Sequence, residues 1–163
     1  MSEKNLLAIL NDRNEFFVDK HLDKFPKDSN EHKLLSIFAY GNWNDYLQLS
    51  KSLPPSLVLD VHSEAAKKLK MLTLLSLFSA ERKCTYNALY KALSIDNQVE
   101  LEELVVDLLG MELIEAKIDE VSSTIICTRA CARCVPNEES AIKAVIDKIQ
   151  KIRGRIDQAL KEE

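Results

Sequence analysis

Three cysteines in the last third of the chain are the residues whose type and spacing could support chemistry. Cys127, Cys131 and Cys134 form the pattern C-x-x-x-C-x-x-C. Thiolates at such a spacing can hold an iron–sulfur cluster. Cys84 could complete a zinc site with them, and Cys131 and Cys134 alone could form a redox pair.

The sequence around these cysteines lacks the elements that such sites need. An iron–sulfur loop with this spacing is usually carried by an α/β barrel of ~200 or more residues, whereas this chain has 163. A redox pair normally follows a βαβ unit, and a zinc site normally has a second pair of ligands. Cysteine is also a small hydrophobic residue that suits the end of a strand. We therefore expect no metal and no cofactor.

Other catalytic motifs are absent from the sequence. It contains no G-x-x-x-x-G-K-[ST] or G-x-G-x-x-G phosphate loop, no G-x-S-x-G and no H-E-x-x-H. Its many carboxylates fall on the polar faces of predicted helices, where nothing in the sequence would raise their pKa. We predict that the chain is not an enzyme.

The composition favours a mainly helical globular protein. Hydrophobic residues make up 46% and charged residues 29%, with only 3 Gly and 4 Pro, so long helices are permitted. The start, MSEKNLLAIL, lacks the apolar run of a signal peptide, and no stretch reaches the ~18 to 20 apolar residues of a membrane helix. We expect an intracellular protein.

The first part of the chain, residues 1–62, is predicted to be a helical-repeat segment. Hydrophobic spacing indicates helices over 3–24, 30–40 and from Trp43 to about Leu53, interrupted by Pro26 and by Pro54-Pro55. Gly41 stands where a helix ends, and Asn42 can cap the next helix. Short helices joined by tight turns are typical of helical repeats.

Residues 63–130 are predicted to form a winged helix. Ser63, Thr85 and Asp96 or Asn97 can cap three successive helices, and Gly110 ends the third. Two β-like runs follow, separated by a hairpin turn over 119–122. The predicted helices span 63–83, 86–93 and 97–109, and the strands span 113–118 and 123–128. Three helices followed by a hairpin is the order of a winged helix.

Residues 136–163 are predicted to form a last helix, capped by Asn137. Its apolar residues alternate three and four apart, which is the heptad spacing that keeps one stripe facing a partner helix. Packing against the rest of the chain would equally explain so short a stripe. The stripe comprises Ile142, Val145, Ile149, Ile152 and Ile156.

The third winged-helix helix is too acidic to read DNA. Lys117 is the only basic residue between Ile95 and Val121, where nine acidic residues occur. Such a face would repel phosphates without releasing counterions. Basic residues cluster at Lys67, Lys68, Lys70, Arg82 and Lys83, where we expect a solvated face, with RNA binding as the secondary hypothesis.

The wing is the predicted partner-binding surface. Ser123, Thr124, Ile125 and Ile126 are uncharged and mostly β-prone, and we predict that they form an edge strand open to strand addition from another protein. Lys117 and Asp119, in and just after the first predicted strand, complete the predicted wing contacts.

Helical repeats leading into a winged helix and a terminal helix resemble the PCI domain, which the proteasome lid, the COP-9 signalosome and translation initiation factor three share. Residues 38–46, FAYGNWNDY, and 68–77, KLKMLTLLSL, look like signature stretches of the subunit-seven family of the signalosome. Residues 85–89, 100–104 and 113–119 continue the likeness in order. The chain departs from the family after the wing, where Arg129–Cys134 replaces a Gly-Arg-Asp-like turn. Subunit M of the initiation factor and a PCI subunit of the proteasome lid are the alternative assignments.

The resemblance implies a scaffold role. PCI subunits of the signalosome join edge to edge through their winged helices, and their C-terminal helices gather into a bundle. The resemblance further implies a cytoplasmic and nuclear complex that removes a ubiquitin-like modifier from cullins through a metalloprotease centre in a different subunit. Other PCI-domain subunits would then be the partners, and no membrane contact is expected. A nucleic-acid-binding winged-helix protein is the alternative from another functional class.

Overall fold

A computed structural model of the chain describes residues 3–136 and 139–160, and its fold is mainly α-helical with a small three-stranded sheet. This confirms the predicted fold class. The described residues up to Arg133 form one compact unit, and those from Cys134 onward form another. None of the described helices has the length and apolar character required to cross a bilayer.

The first predicted helix is wrong in its extent. Helix α1 spans Glu3–Asn11 and is followed by an irregular segment and a 3₁₀ turn, Asp19–Lys24. The Asp12 carboxylate accepts a hydrogen bond from the backbone N–H of Asn14 at 2.9 Å. Such a local bond competes with the helical pattern, so the apolar residues that follow reach the core from a loop.

Helices α2, Asn30–Tyr40, and α3, Trp43–Leu49, begin at the predicted residues. Asn42 and Asp45 form a reciprocal capping box at the start of α3. Gly41 ends α2 with an extended backbone, and a Cβ there would lie 3.0 Å from the Cα of Ile37. Glycine is therefore required at position 41 because the backbone of α2 lies so close, and not because the position is left-handed.

Helix α4, Glu64–Ala80, is the central helix of the first unit and is capped by Ser63 as predicted. It packs against α1 and α3, and also against the later helices and strands of the unit. Because it is enclosed in this way, side chains around most of its circumference are buried.

The winged-helix order is confirmed. Helix α5 spans Tyr86–Leu93 and α6 spans Gln98–Gly110, capped by Thr85 and Asn97 respectively. The strands are β1, Lys83–Thr85; β2, Ile114–Asp119; and β3, Thr124–Ala130. Strand β1 has three residues, too few to show an alternating pattern, and the sequence did not predict it.

The second unit contains helix α7, Glu139–Ala159. Its existence confirms the predicted terminal helix. The predicted cap, Asn137, lies outside the described residues.

The loop after α1 is held by a polar cluster around Glu15. One oxygen of the Glu15 carboxylate lies 2.5 Å from Lys20 Nζ and 2.8 Å from Nε2 of the buried His21. Hydrogen bonds first from Lys20 and then from His21 lower the pKa of Glu15 from 4.5 to about 2. The ionised carboxylate is therefore favoured in the folded state.

Acid should remove the stability that Glu15 provides. Its pKa is lower in the folded than in the unfolded chain, so its contribution is complete above pH 4.5 and is lost as the pH falls towards about 2. We expect the difference in unfolding free energy between the wild type and Glu15→Gln to shrink by about 1–2 kcal/mol over that window. Urea unfolding of both proteins at about pH 6 and about pH 3 measures it. A difference that is constant with pH would contradict the prediction.

Candidate protein-interaction surfaces

The predicted edge strand is the centre of the sheet. The strand order is β1-β3-β2, so β3 is paired on both sides. The prediction that Ser123, Thr124, Ile125 and Ile126 form an open edge is therefore wrong. The short strand β1, which the sequence did not reveal, occupies the side that was expected to be free. The outer edge of β2 is the longer edge of this sheet.

Burial divides the predicted wing residues into two groups. Ile125 is fully buried and Thr124 is 4% exposed, so neither side chain can contact a partner on the folded surface. Lys117, Ser123 and Ile126 are exposed. Ile126 is 37% exposed and stands between Lys117 of β2 and Lys83 of β1 in the strand register. This row forms the solvent face of the sheet.

The wing turn is ordered by its own side chains. The two carboxylate oxygens of Asp119 accept hydrogen bonds from the backbone N–H and the hydroxyl of Ser122, at 3.2 and 2.6 Å. These bonds, the hydroxyl first, lower the pKa of Asp119. Asp119 therefore shapes the turn, and its predicted partner contact stays a prediction.

Two of the acidic residues on α6 are engaged in ion pairs with α4. Glu100 Oε1 lies 2.6 Å from Lys70 Nζ, and Asp107 Oδ2 lies 2.5 Å from Lys67 Nζ. Glu102 instead accepts hydrogen bonds from the hydroxyl of Tyr86 and the amide of Gln98, both at 2.8 Å. Burial, and then the bond to Glu102, raise the pKa of Tyr86.

Only part of the basic cluster is the solvated face that the sequence predicted, since Arg82 and Lys83 are exposed. Lys68 and Lys70 are buried, at 3% and 4% exposure, and Lys67 is paired with Asp107. Lys68 Nζ donates to the backbone carbonyls of the α1 end and the following loop, and Lys70 Nζ lies 5.1 Å from the centre of the Trp43 ring. These lysines hold the fold together, so the cluster offers no continuous basic surface for RNA.

Arg133 performs a similar structural role at the other end of the unit. Its guanidinium donates to the carbonyls of Phe38 at 2.9 Å and Gly41 at 2.6 Å, both at the end of α2. It also donates to the carbonyl of Leu72 and the hydroxyl of Ser76 on α4. The sequence drew attention to 129–134 through its cysteines and through a departure from a family pattern, and neither indicated this contact of Arg133.

The cysteines divide into buried and accessible thiols. Cys84 and Cys127 are buried on neighbouring strands, and burial raises the pKa of both. Cys131 is half-buried and Cys134 is exposed. Within residues 3–136 and 139–160, no three His, Cys, Asp or Glu side chains are grouped so that they could share a metal ion.

Helix α7 carries the predicted apolar stripe, and no side chain described on this helix is buried. The five stripe residues are between 38% and 59% exposed. Ile146, at 47%, widens the stripe. Together these isoleucines and valines form an exposed apolar row along one helix, which differs from singly scattered surface hydrophobic residues.

Known proteins resemble this chain over much of its length. The PCI domain model matches residues 13–129. COP9 signalosome complex subunit 7 of Dictyostelium discoideum is 35% identical over 91 residues, covering 56% of this chain and 33% of that protein. Subunit 7a of Mus musculus is 33% identical over 89 residues, covering 54% of this chain and 30% of the relative.

A second group of relatives matches a longer stretch. Eukaryotic translation initiation factor 3 subunit M of Drosophila mojavensis is 30% identical over 129 residues, covering 75% of this chain and 33% of that protein. The chain thus spans about a third of the length of the curated relatives it matches. Because the family model matches more than half of the chain, including helices α2 to α4 and the helices of the winged helix, the chain belongs to the PCI-domain family.

Proposed function

We propose that the chain is a non-catalytic scaffold subunit of a PCI complex, the COP9 signalosome. The observation that carries the proposal is the exposed apolar stripe of α7, with five large aliphatic side chains between 38% and 59% exposed. In water, such a stripe is stabilised by burial against a partner helix, which is the principle of helical bundles. The likeness to signalosome subunit 7 supports the choice of complex.

The second proposed contact is the outer edge of β2. This strand, Ile114–Asp119, pairs with β3 on one side and has no strand of the described residues on the other. Its unpaired backbone groups can accept a strand from a neighbouring PCI subunit. Lys117 lies on β2 itself and would contact the incoming strand, whereas Ile126 lies one strand further in, on β3. Ser123 would lie at the rim of the same contact.

The proposed role of the chain is structural and not catalytic. The chain would support removal of the ubiquitin-like modifier from cullins without performing the reaction itself. Its partners would be other PCI-domain subunits, with its terminal helix in a shared helical bundle. A cytoplasmic and nuclear location follows from the same proposal.

Charge placed in the α7 stripe should release the chain from its complex. We expect Ile149→Glu with Ile152→Glu to reduce recovery of partner subunits by about tenfold or more, because two buried carboxylates would oppose bundle formation. The experiment is affinity capture of the tagged full chain from native cells, with the partners quantified by mass spectrometry. The control is Lys148→Glu with Lys151→Glu, two changes on exposed non-stripe positions of the same helix.

The capture experiment has three outcomes with different meanings. Loss of partners with the stripe variant and retention with the control variant support the scaffold role. Equal recovery with the wild type and the stripe variant would exclude α7 as an assembly surface. Capture of no PCI-domain protein by the wild type would overturn the proposed function itself.

Translation initiation factor 3 is the second candidate complex. The match to its subunit M extends over 75% of this chain, compared with 56% for signalosome subunit 7 of Dictyostelium. The same capture distinguishes the two, since the recovered partners would be initiation factor subunits in one case and signalosome subunits in the other.

A further inference from the structure

A groove runs along α6 where this helix faces the start of α4 and the loop after α1. A cavity of about 490 Å³ lies between the loop after α1, the start of α4 and the end of α6, and Phe16, Met71 and Met111 line it. A second, more open cavity of about 530 Å³ continues along α6 past Val99. Val106 and Asp107 line both cavities, so the two form one continuous groove.

The floor of this groove is apolar and exposed. Val99 and Val106 are 60% and 56% exposed and lie two helical turns apart on α6. Met111 follows at 39% exposure. From Val99 to Met111 the groove extends about 18 Å, which is the length of about three turns of a second helix. A row of this length offers apolar anchor points to a helix laid beside it.

The charges at the rim leave a negative excess. Among the lining residues, Arg13 is paired with Glu64 and Lys67 with Asp107. Lys68, the remaining cation lining the groove, is directed at backbone carbonyls.

Once these pairs are formed, Glu102 and Glu103 are the groove carboxylates with no ion-pair partner among the described residues. Glu103 is exposed, and Glu102 is half-buried with one oxygen held by Tyr86 and Gln98. A ligand that lies over the apolar floor and carries positive charge would complement both features.

We propose that this groove binds a basic amphipathic helix of a partner protein. Its apolar residues would cover Val99, Val106 and Met111, and its lysine or arginine side chains would reach Glu102 and Glu103. The groove is formed by α4, α6 and the loop after α1. The proposal is therefore independent of the contacts proposed above for β2 and α7.

The test measures binding of a designed peptide to the full chain by fluorescence anisotropy. The probe is a helix-forming peptide of about 18 residues. Its leucines are spaced alternately three and four residues apart on one face, and its lysines lie on the other face. A matched peptide with glutamate in place of every lysine is the control. We expect the lysine peptide to bind at least about tenfold more tightly than the glutamate peptide, and to weaken as salt is raised.

Gly110→Leu is a variant that fills the groove without disturbing the fold. A Cβ at Gly110 would meet no atom within 4 Å, and the backbone there is helical, so leucine fits without strain. Its side chain would project where Gly110 lines the first cavity. We expect Gly110→Leu to weaken the lysine peptide by about tenfold or more, and Glu103→Gln by about threefold.

Gly154→Leu is the matched control, since a Cβ at Gly154 on α7 also meets no atom within 4 Å. It should leave binding unchanged. Unchanged binding to Gly110→Leu, equal binding of the two peptides, or no binding of the lysine peptide would each overturn the proposal. Tighter binding of a peptide spanning residues 139–160 would assign the groove to this chain's own α7 sequence and would overturn the assignment to a partner protein.

Discussion

Replacing Lys68 by methionine will lower the free energy of unfolding by about 2–3 kcal/mol at neutral pH. The Lys68 ammonium donates hydrogen bonds to the carbonyls of Asp12 at 2.6 Å, Glu15 at 3.0 Å and Ile9 at 3.3 Å. These carbonyls end α1 and begin the loop that follows it. Methionine fills a similar volume but leaves the carbonyls without their shared donor.

The measurement is urea unfolding of the wild type and of Lys68→Met. Lys67→Met is the matched control, because Lys67 is the neighbouring residue on the same helix but is partly exposed and makes a surface ion pair with Asp107. We expect the control to lose less than about 1 kcal/mol. Equal losses for the two variants would show that the carbonyl contacts of Lys68 do not stabilise the fold.

The difference in unfolding free energy between the wild type and Lys68→Met should depend on pH. Burial is the main cause that lowers the pKa of Lys68 from 10.5 to about 8. Between these values the unfolded chain binds a proton that the folded chain does not, so wild-type stability rises with pH in that window. The difference between the wild type and Lys68→Met should therefore grow by up to about 3 kcal/mol from pH 8 to pH 10.5. A difference that shrinks as pH rises would contradict the desolvation argument.

Replacing Arg133 by methionine will lower the free energy of unfolding by about 3 kcal/mol. Its guanidinium joins the end of α2 to α4 through the carbonyls of Phe38, Gly41 and Leu72. Cations are favoured at a helix C-terminus, because the last carbonyls lack partners within the helix and the helix dipole is negative there. Methionine keeps part of the packing volume and removes every donor.

Arg129→Met is the control for Arg133. Arg129 is exposed and pairs with Glu115 across the strands, at 2.7 Å, so its loss should cost much less stability than the loss of Arg133. Thermal unfolding of the two variants and the wild type gives the comparison. A loss at Arg133 no greater than that at Arg129 would show that the four contacts are compensated by water.

The local signals of the sequence were sufficient to locate most helix starts. Ser63, Thr85, Asn97 and Asn42 each accept a hydrogen bond from the first turn of the helix that they were predicted to cap. Capping is decided by a few neighbouring residues, so it can be read without knowledge of the tertiary fold. The winged-helix order followed from these starts and from two β-like runs.

Tertiary contacts determined the features that sequence could not supply. Strand β1 exists because Lys83–Thr85 lies beside β3, and this pairing turned a predicted edge into the sheet centre. Lys68 and Lys70 were counted as polar surface, since periodicity does not show that a lysine amine will meet carbonyls or a carboxylate from another helix. The groove beside α6 likewise could not be predicted from the sequence, because α6 is far in sequence from α4 and from the loop after α1 that complete it.

The position of α4 has a consequence for how the protein can be divided. Because this helix is shared by the N-terminal helices and the winged helix, a fragment that starts near Ser63 would expose the α4 side chains that α1 and α3 now cover. A fragment that ends before it would lose the face on which its own helices pack. We expect residues up to Arg133 to unfold in a single cooperative step. Insertions and altered domain boundaries should therefore be tolerated outside this unit and not in its middle.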